Sequence, residues 1–559
     1  MNTKIFGSFI VAGAAMSLMS CSDFLDTTPT NSVSDKTIWS KYEYAQLHAN
    51  YMYEDLDYTS GYGSGGNGCT RDCSIGISES LTDLFKYGGY NYTSLNRIPS
   101  EFAYGGASTL SNSYVDTYLG AWTSMYKYIS TANQAIANIR KYGTFEADKM
   151  LEVEAEFRFF RAFYYSILAK RYPKLILYTE NLDEYAKDHP AVDVSEIYEF
   201  IYQDLKFAGE HLPESTTPNG RLTAGVAYGL MSRVMPYAER WNDAADAAKK
   251  VLDMGYSMNY TDLDAPFKSG GEGAIFQICY DISAKTHQFD CYYAPGGDRA
   301  AFGNPISGGY GVPTQEMVES FELATGGKPD WSEWHTTDGT QATPPYGKLE
   351  PRFAHTVLYN GSTWKGRTIE SFVDGADGWL EWMKADMSEG RSSTGYFLRK
   401  RLDESNTFAN ASKCTKPFTF IRLAEVVLNY AEALYRSNRP DEALKQLNDV
   451  RTRPGVKLPK LDCSGEAIMD AIRQERKVEL AFEGFYYWDM RRWGLAHTAF
   501  TGVRTHGLKI VKEANGTFTY YYVECDDQDR NFPEKLYTLP IPQDELENNK
   551  SITQIPAWN

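Results

Sequence analysis

The sequence is poor in basic charge, in histidine and in recognisable catalytic motifs. It carries 56 Lys and Arg residues against 73 Asp and Glu residues, a formal net charge of −17. A surface that binds nucleic acid or another polyanion needs an excess of positive charge, so this balance argues against both partners. The eight histidines are scattered, and the chain has no GxxxxGKS/T, HExxH or GxSxG motif. No metal or cofactor is therefore expected.

Beyond its first residues, the chain lacks an apolar run long enough to span a bilayer. The run at residues 5–19 is shorter than the ~20 residues of a spanning helix and is typical of a secretory signal peptide. The segment LMSC that ends at Cys21 resembles a bacterial lipobox, whose cysteine is diacylated. We predict a lipoprotein signal peptide at residues 1–20, lipidation of Cys21, and a mature chain outside the cytoplasm that meets the membrane only through its lipids. The alternative is an ordinary signal peptide in which Cys21 is incidental.

Cysteines are few, and their number is odd once Cys21 is set aside. Eight cysteines minus the lipidated one leave seven, so at least one is unpaired. Cys69 and Cys73 form a C-x3-C motif that suits a disulfide in an exported protein or half of a zinc site. Because no histidine stands nearby at zinc-site spacing, we favour a structural role for the two cysteines.

Residues 225–255 and 425–455 share a pattern of two helices joined by a short turn. Asn242 and Asp441 are the expected N-caps of the two second helices. In those helices apolar residues recur at i, i+4 and i+7: Ala244, Ala248 and Val251 in one, Ala443, Leu447 and Val450 in the other. This pattern indicates a repeat of the tetratricopeptide type.

Two further helix pairs are expected elsewhere in the chain. Residues 151–172 would pair with residues 194–213, and the helix that ends at Tyr435 would pack with residues 467–483. Four such pairs favour one helical scaffold over several unrelated domains. We therefore predict a mainly α protein whose scaffold of about four pairs covers about residues 36–270 and 417–500.

The helical pattern is interrupted by a loop-rich region at about residues 271–416. Gly, Pro, Ser, Thr and aromatic residues replace the periodicity there, and five of the eleven tryptophans fall within residues 331–382. A second loop-like stretch covers residues 57–106. Long segments of this kind inside a folded protein are usually functional, and their aromatic content argues against disorder. We expect the ligand site in these loops, and a C-terminal tail at residues 501–559.

The stretch RQERKVELAFEGFYYWDMRRW, residues 473–493, has the charge density of an active site. On a helix, Glu475 and Glu479 share one face with Ile468, Ile472 and Phe482. The two carboxylates could stand ~5 Å apart, as in a retaining glycosidase. A face that also carries large apolar residues is, however, expected to pack against another helix. We therefore predict a structural role, with nearby cations as partners of the two carboxylates: Arg473, Arg476, Arg491 and Arg492.

Residues 475–494, ERKVELAFEGFYYWDMRRWG, resemble the C-terminal signature of the SusD/RagB family of Bacteroidetes outer-membrane lipoproteins. Three other segments agree with it: CSDFLDTTP at 21–29, FIRLAEVVLNYAEALYR at 420–436 and YTLPIPQDELENNKSITQIPAW at 537–558. The resemblance implies a single SusD-like domain over residues 21–559, with four tetratricopeptide-like helix pairs and a loop-rich ligand site. It also implies a binding protein and not an enzyme, placed at the cell surface on a SusC-type TonB-dependent transporter, where it holds oligosaccharide for import.

Candidate ligand contacts follow from sugar chemistry and from this resemblance. A sugar ring stacks its C–H face on an aromatic side chain, and its hydroxyls need Asp, Asn or Arg. Tyr stands here where Trp is frequent in the family. The first candidates are Asp83, Tyr87, Tyr90, Asn91 and Tyr92, and the second set is Tyr292, Tyr293, Arg299 and Tyr310. Further candidates are Trp331, Trp334, Trp364 and Trp379. For each ring the alternative is packing within the loop, and Trp379 and Trp382 at i, i+3 could pack a local helix.

The net acidity favours a neutral oligosaccharide over a sulfated or uronic one. Two other functions remain open from the sequence. One is peptide binding, which some members of the family serve, and the other is glycoside hydrolysis by loop carboxylates.

Overall fold

The computed structural model describes residues 34–60, 78–87, 102–106, 110–181, 188–216, 220–302, 308–309, 311–379, 390–406 and 413–559. The signal peptide, Cys21, Cys69, Cys73 and Trp382 lie outside these ranges. Across the described residues, no helix is both long enough and apolar enough to cross a membrane.

Helices dominate the described chain. Those of the N-terminal half are α1 Asp35–Trp39, α2 Tyr42–Ser60, α3 Asn112–Leu119, α4 Trp122–Tyr142, α5 Ala147–Ala169, α6 Val194–His211, α7 Ala224–Val234 and α8 Trp241–Asp253. Four short helices follow in the loop-rich region: α9 Phe289–Tyr293, α10 Gly297–Phe302, α11 Gln315–Glu319 and α12 Pro351–Thr356. The remaining six are α13 Leu423–Arg436, α14 Pro440–Thr452, α15 Glu466–Glu479, α16 Tyr486–Arg492, α17 Ala496–Ala499 and α18 Gln543–Asn548.

The long helices pack against their neighbours in the chain, as consecutive pairs in one continuous stack. Helix α5 contacts α4 and α6, α7 contacts α8, and α13 contacts both α14 and α15. Helix α8 also packs on α13, which joins the two halves of the scaffold across the loop-rich region. The predicted mainly α, tetratricopeptide-like scaffold is confirmed.

The repeated i, i+4, i+7 stripe forms the buried face of α8 and α14. Its members are all fully buried: Ala244, Ala248, Val251, Ala443, Leu447 and Val450. Small side chains on these faces let the paired helices approach closely. The predicted N-caps are wrong, because α8 begins at Trp241 after Arg240 and α14 begins at Pro440 after Arg439. Asn242 and Asp441 therefore lie within the first turns.

The described strands are short and form six antiparallel pairs. The pairs are β1 Phe85–Tyr87 with β5 Gly311–Pro313, β2 Lys174–Leu175 with β3 Val192–Asp193, β4 Ala274–Ile278 with β10 Phe418–Arg422, β6 Val357–Tyr359 with β9 Tyr396–Leu398, β7 Thr363–Trp364 with β8 Arg367–Thr368, and β11 His506–Lys512 with β12 Phe518–Glu524. The β4–β10 pair joins the two ends of the loop-rich region, one residue before α13 begins.

The C-terminal tail folds back onto the N-terminal helices. The Leu539 amide donates to the carbonyl of Arg171, and the Asn531 amide donates to the carbonyl of Ala103. The side-chain amide of Asn112 donates to the carbonyl of Trp558 at 2.9 Å. The last residues thus close the scaffold against α3 and α5.

Glu475 and Glu479 of α15 are buried and bound by arginines, which confirms the predicted structural role. Glu475 accepts from Arg352 and from Arg451 Nη1. Glu479 accepts from Arg352 Nη1 at 2.9 Å, Arg422 Nη1 at 2.8 Å and Arg453 Nη2 at 2.7 Å. Burial alone would raise the pKa of Glu479, but the cations of Arg453, Arg422 and Arg352 hold it well below its ordinary value.

The predicted partners of these two glutamates are wrong. Arg476 binds Asp489, and Arg492 binds Glu432 and Asp489. Arg473 pairs with exposed acids of its own helix, and Arg491 donates to the Tyr537 carbonyl. Three of the four arginines thus bind other buried or backbone acceptors, and the fourth binds exposed acids of α15.

Candidate functional site

Strands β1 and β5 bring the two tyrosine-rich segments together. Tyr87 pairs with Gly311, and Phe85 pairs with Pro313. Thr314 extends this contact, since its backbone N–H donates to Leu84 O and its hydroxyl donates to Asp83 O at 2.7 Å. The first predicted set of ligand contacts therefore adjoins the second, although more than 200 residues separate them.

A junction of glycine backbones lies beside this strand pair. The Gly296 amide donates to the Gly390 carbonyl. A Cβ built on Gly308 would lie 1.5 Å from the Ala294 carbonyl oxygen, and one built on Gly390 would lie 2.7 Å from Gly296 Cα. No side chain fits at these positions, because three chain segments touch backbone to backbone. The segments that follow α9, precede β5 and follow residue 389 thus meet at one place.

Buried charges hold β1 against the C-terminal tail. Lys86 is fully buried, and its Nζ binds Asp526 Oδ1 at 2.7 Å. Arg530 binds the other oxygen of Asp526 at 2.8 Å and also donates to the carbonyls of Ser80 and Thr82. Burial lowers the pKa of Lys86, while the cations of Arg530 and Lys86 overcome burial and lower that of Asp526. This cluster fixes the strand that ends at Tyr87.

The signature segment supports the same strand from another side. The Gly484 amide donates to Glu79 Oε1 at 3.0 Å, just ahead of β1. Glu79 is almost fully buried, and burial raises its pKa to about 8. The preceding residue of the signature, Glu483, binds Lys400 and Arg422, and these cations lower its pKa to about 2. The signature segment thus links the helical scaffold to the base of the site.

Of the first predicted set, Asp83 and the backbone of Tyr87 are described. Asp83 is half-buried, and its Oδ1 atom is buried with no hydrogen-bond partner among the described residues. Tyr90, Asn91 and Tyr92 lie outside the described residues, as does the side chain of Tyr87. Burial and the nearby carboxylate of Asp83 raise the pKa of Tyr486, so Asp83 lies against the signature segment at the base of the strand pair.

The second predicted set divides into structural and accessible members. Tyr293 is fully buried and stacks near Phe289, with ring centroids 4.6 Å apart. Tyr292 is half-buried, with its hydroxyl 3.2 Å from Gln288 Oε1. Arg299 is exposed on α10. Tyr310 lies outside the described residues but precedes Gly311 of β5, directly at the strand pair.

The tryptophans Trp331, Trp334 and Trp364 are buried. The rings of Trp331 and Trp334 pack edge to face at 5.6 Å, and Trp334 Nε1 donates to the Ala342 carbonyl at 2.9 Å. Trp364 is 0% exposed and donates to Asp298. Since a stacking contact needs an accessible ring face, these three rings and Tyr293 show packing within the loop-rich region instead.

Trp379 is the tryptophan that reaches the glycine junction. It is half-buried and bridges to Ser392, two residues after Gly390, and its Nε1 has no partner among the described residues. The described residues before it are irregular, and the alternative of a local helix through Trp382 falls on residues outside the described ranges. The position of Trp379 could not be read from the sequence, because the bridge to Ser392 joins two irregular segments. Within the described ranges no cluster of His, Cys, Asp and Glu is arranged to hold a metal ion.

Two family models match the chain. One is described as the SusD family and matches residues 272–558, which is half of the chain. The other is described as starch-binding and associating with outer membrane, and it matches residues 90–235.

Relatives and solved structures agree with these matches. SusD-like protein P2 of Formosa agariphila is 25% identical over 454 residues, which cover 77% of this chain and 78% of the relative. A SusD-like protein of Bacteroides ovatus is 21% identical, covering 95% of this chain and 91% of its own.

The crystal structure of a SusD-like protein from Bacteroides fragilis superposes with a TM-score of 0.76 at 24% identity, over 94% of this chain and 98% of that one. A second structure from that organism, of a SusD-like carbohydrate binding protein, gives 0.74 at 22% identity, over 92% and 100%. The signature at residues 475–494, the paired-helix scaffold and the match over residues 272–558 lead to one conclusion: the chain belongs to the SusD family.

Proposed function

We propose that this chain is a glycan-binding lipoprotein of the outer-membrane surface, which holds oligosaccharide for a SusC-like TonB-dependent transporter. The pairing of β1 with β5 carries the proposal, because it joins the chain segments to which Tyr87 and Tyr310 belong. Membership of a family with a carbohydrate-binding relative supports the ligand class. The lipobox that ends at Cys21 supports the location.

A binding role fits the acidic groups better than catalysis does. The carboxylates of Glu475 and Glu479 form ion pairs with buried arginines. Among the described residues they line no cleft that is large enough for a sugar. A catalytic acid and base must reach the scissile bond of a substrate. The net charge of −17 favours a neutral glycan, since an acidic one would be repelled.

Affinity electrophoresis tests ligand and site together. The soluble chain that starts after Cys21 would be run through gels that contain neutral polysaccharides, acidic polysaccharides or no ligand. We expect retardation by a neutral polysaccharide. The Tyr87→Ala and Tyr310→Ala variants should each lower the apparent affinity by about two- to tenfold, because a stacked ring is worth about 0.5–1.5 kcal/mol.

Tyr44→Ala is the matched control, since Tyr44 is an exposed tyrosine on α2, outside the proposed site. Retention only by a peptide mixture would assign the chain to peptide import. A rise in the concentration of reducing ends during incubation with the retained polysaccharide would show that the chain hydrolyses the glycan and does not only bind it. Equal retardation of all variants would contradict the proposal that the ligand binds at the β1–β5 strand pair.

The proposed partner is tested by isolating the lipidated chain from outer membranes in mild detergent. A TonB-dependent barrel identified by its mass in stoichiometric amount would support the partnership. Isolation of the lipoprotein alone under several detergents would contradict it.

A further inference from the structure

A cleft of about 800 Å³ opens where the loop-rich region meets the helical scaffold. One wall comes from the segment that follows α8, residues 261–269, and the other comes from α12 and residues 399–405 and 415–417. No residue of β1, β5 or the glycine junction lines it. Its volume lies in the range of small-ligand sites, and boundaries between structural layers are common places for them. It is therefore a separate candidate site.

Opposite charges in its walls are already paired with one another. Lys416 Nζ binds Asp264 at 2.7 and 2.9 Å, and Arg399 Nη2 binds Glu404 at 2.9 Å. Lys268 binds Asp262 within the segment of residues 261–269. Asp403 accepts from the backbone and hydroxyl of Ser405. The lining thus presents charged groups but little net charge.

His355 adds a neutral polar group to the same wall. Its Nε2 lies 3.7 Å from Asp264 Oδ1, too far for a hydrogen bond. Its ring stacks on Phe267 with centroids 6.1 Å apart. Burial, together with the cations of Lys400 and Lys416, lowers its pKa. The imidazole is therefore uncharged at neutral pH and can donate or accept a hydrogen bond.

These features select a class of ligand. An ionised ligand would have to break an ion pair or leave its own charge unpaired in a partly buried wall, and both are costly. A hydroxyl group can instead donate to a remaining carboxylate lone pair or accept from an ammonium proton without separating the pair. Exposed Pro351 and Ala354 offer apolar contacts at the wall, which suit the C–H faces of a sugar.

We propose that this cleft is a second ligand site, which takes a short, neutral, hydroxyl-rich molecule of about two or three sugar units. The site extends the proposed glycan binding, and it uses hydrogen bonds to paired charges where the β1–β5 edge uses aromatic rings. A longer carbohydrate that reached both the cleft and the β1–β5 edge would be bound at two points along its length.

Calorimetry of the chain that starts after Cys21 tests the cleft. The titrants are cellotriose, maltotriose and xylotriose, with trigalacturonate as the charged comparison. We expect at least one neutral trisaccharide to bind and trigalacturonate to bind at least tenfold more weakly. Ala354→Trp and Thr261→Trp place a ring in the cleft from opposite walls without removing an ion pair, and each should lower that affinity at least tenfold.

Ala284→Trp is the matched control, because Ala284 is equally exposed but lies outside the cleft. Thermal unfolding of each Trp variant checks that the fold is kept. Binding that survives in both cleft variants, that disappears only in Tyr87→Ala, or that is absent for all neutral trisaccharides would overturn the second site. Polysaccharide retardation that Tyr87→Ala abolishes, in a chain that binds no neutral trisaccharide, would leave the proposed function standing without the second site, so the failures of the two proposals give different results.

Discussion

The signature segment and the β1–β5 edge use the same kinds of residue in opposite ways. Glu479 is buried and meets three cations, Arg352, Arg422 and Arg453, which come from three separate segments. Beside β1 and β5 the described charges form a smaller cluster of Lys86, Asp526 and Arg530, and one oxygen of Asp83 has no partner among the described residues. A high density of charge in the sequence therefore marks the framework of this protein, whereas the proposed ligand edge is marked by short strands with fewer charges.

The difference also shows how the two regions depend on each other. Glu483 and Gly484 close the charge network on one side and hold Glu79 on the other. Glu79 lies on the turn that precedes β1. The signature segment thus contacts both the buried charge network and the turn before the strand that carries Tyr87. Substitutions in these contacts should separate effects on folding from effects on ligand binding.

The largest effect is expected for Glu479→Ala. Removal of this carboxylate leaves three arginines buried without their shared anion, which costs about 3–5 kcal/mol of unfolding free energy. Urea unfolding at pH 7 measures the change. Glu466→Ala on the same helix is the control, because Glu466 is largely exposed and should change the free energy by less than about 0.5 kcal/mol. Equal effects of the two substitutions would show that the buried network does not stabilise the fold.

A smaller loss is expected for Lys86→Met, which removes one of the two cations on Asp526. Arg530 still binds the carboxylate, so we expect a loss of about 3 kcal/mol. Because Lys86 stands next to Tyr87, polysaccharide retardation should weaken as well. Lys445→Met on the exposed side of α14 is the control. A stable variant with unchanged retardation would mean that the ion pair does not position β1.

The scaffold could be predicted from the sequence because each helix is encoded by the spacing of apolar residues within its own segment. The spacing of Ala244, Ala248 and Val251 depends only on the helical period, and the same holds for Ile468, Ile472 and Glu475. The partners of Glu475 were missed, since Arg352 and Arg451 come from distant segments whose approach no local period encodes. The spacing of residues in the sequence predicts which side chains share a helix face, but it does not predict which distant segments contact that face.

The candidate site was predicted in part for a similar reason. The tyrosine-rich segments were found by composition, but their contact depends on two strands of three residues each, too short to show an alternating pattern. Composition also favoured Trp331, Trp334 and Trp364, which are buried. A loop-rich region needs an aromatic core of its own, so ring content alone does not separate core from binding surface.

A moderate effect is expected for Gly308→Ala at the glycine junction. The new methyl group would meet the Ala294 carbonyl oxygen, so the backbone of the junction must shift at a cost of about 2 kcal/mol. Polysaccharide affinity should fall at least tenfold, because Gly308 leads into β5. Gly347→Ala is the control, since a Cβ there meets nothing within 4 Å. Normal affinity in Gly308→Ala would show that the ligand does not need this junction.

The smallest effect is expected for Glu79→Gln, and it depends on pH. In the folded chain, burial raises the pKa of Glu79 to about 8, against 4.5 for the ordinary group; the Gly484 amide and the cations of Lys400 and Arg401 moderate that rise, and the Glu483 carboxylate adds to it. As pH increases between these values, the unfolded chain loses the proton while the folded chain keeps it. Stability supplied by this group is therefore complete below about pH 4.5 and declines as pH rises towards 8, by about 1.4 kcal/mol per pH unit.

Glutamine keeps the bond from Gly484 and cannot titrate, so the variant should gain on the wild type by about that amount per pH unit between pH 5 and 7. Urea unfolding at pH 5, 6 and 7 measures the difference between the two proteins, which removes the contribution of all other titrating groups. A constant difference would mean that Glu79 is ionised when folded, with Lys400 as its counter-charge. The base of the ligand edge would then belong to the same fully paired network as Glu479, and the contrast between the two regions would begin only at Asp83.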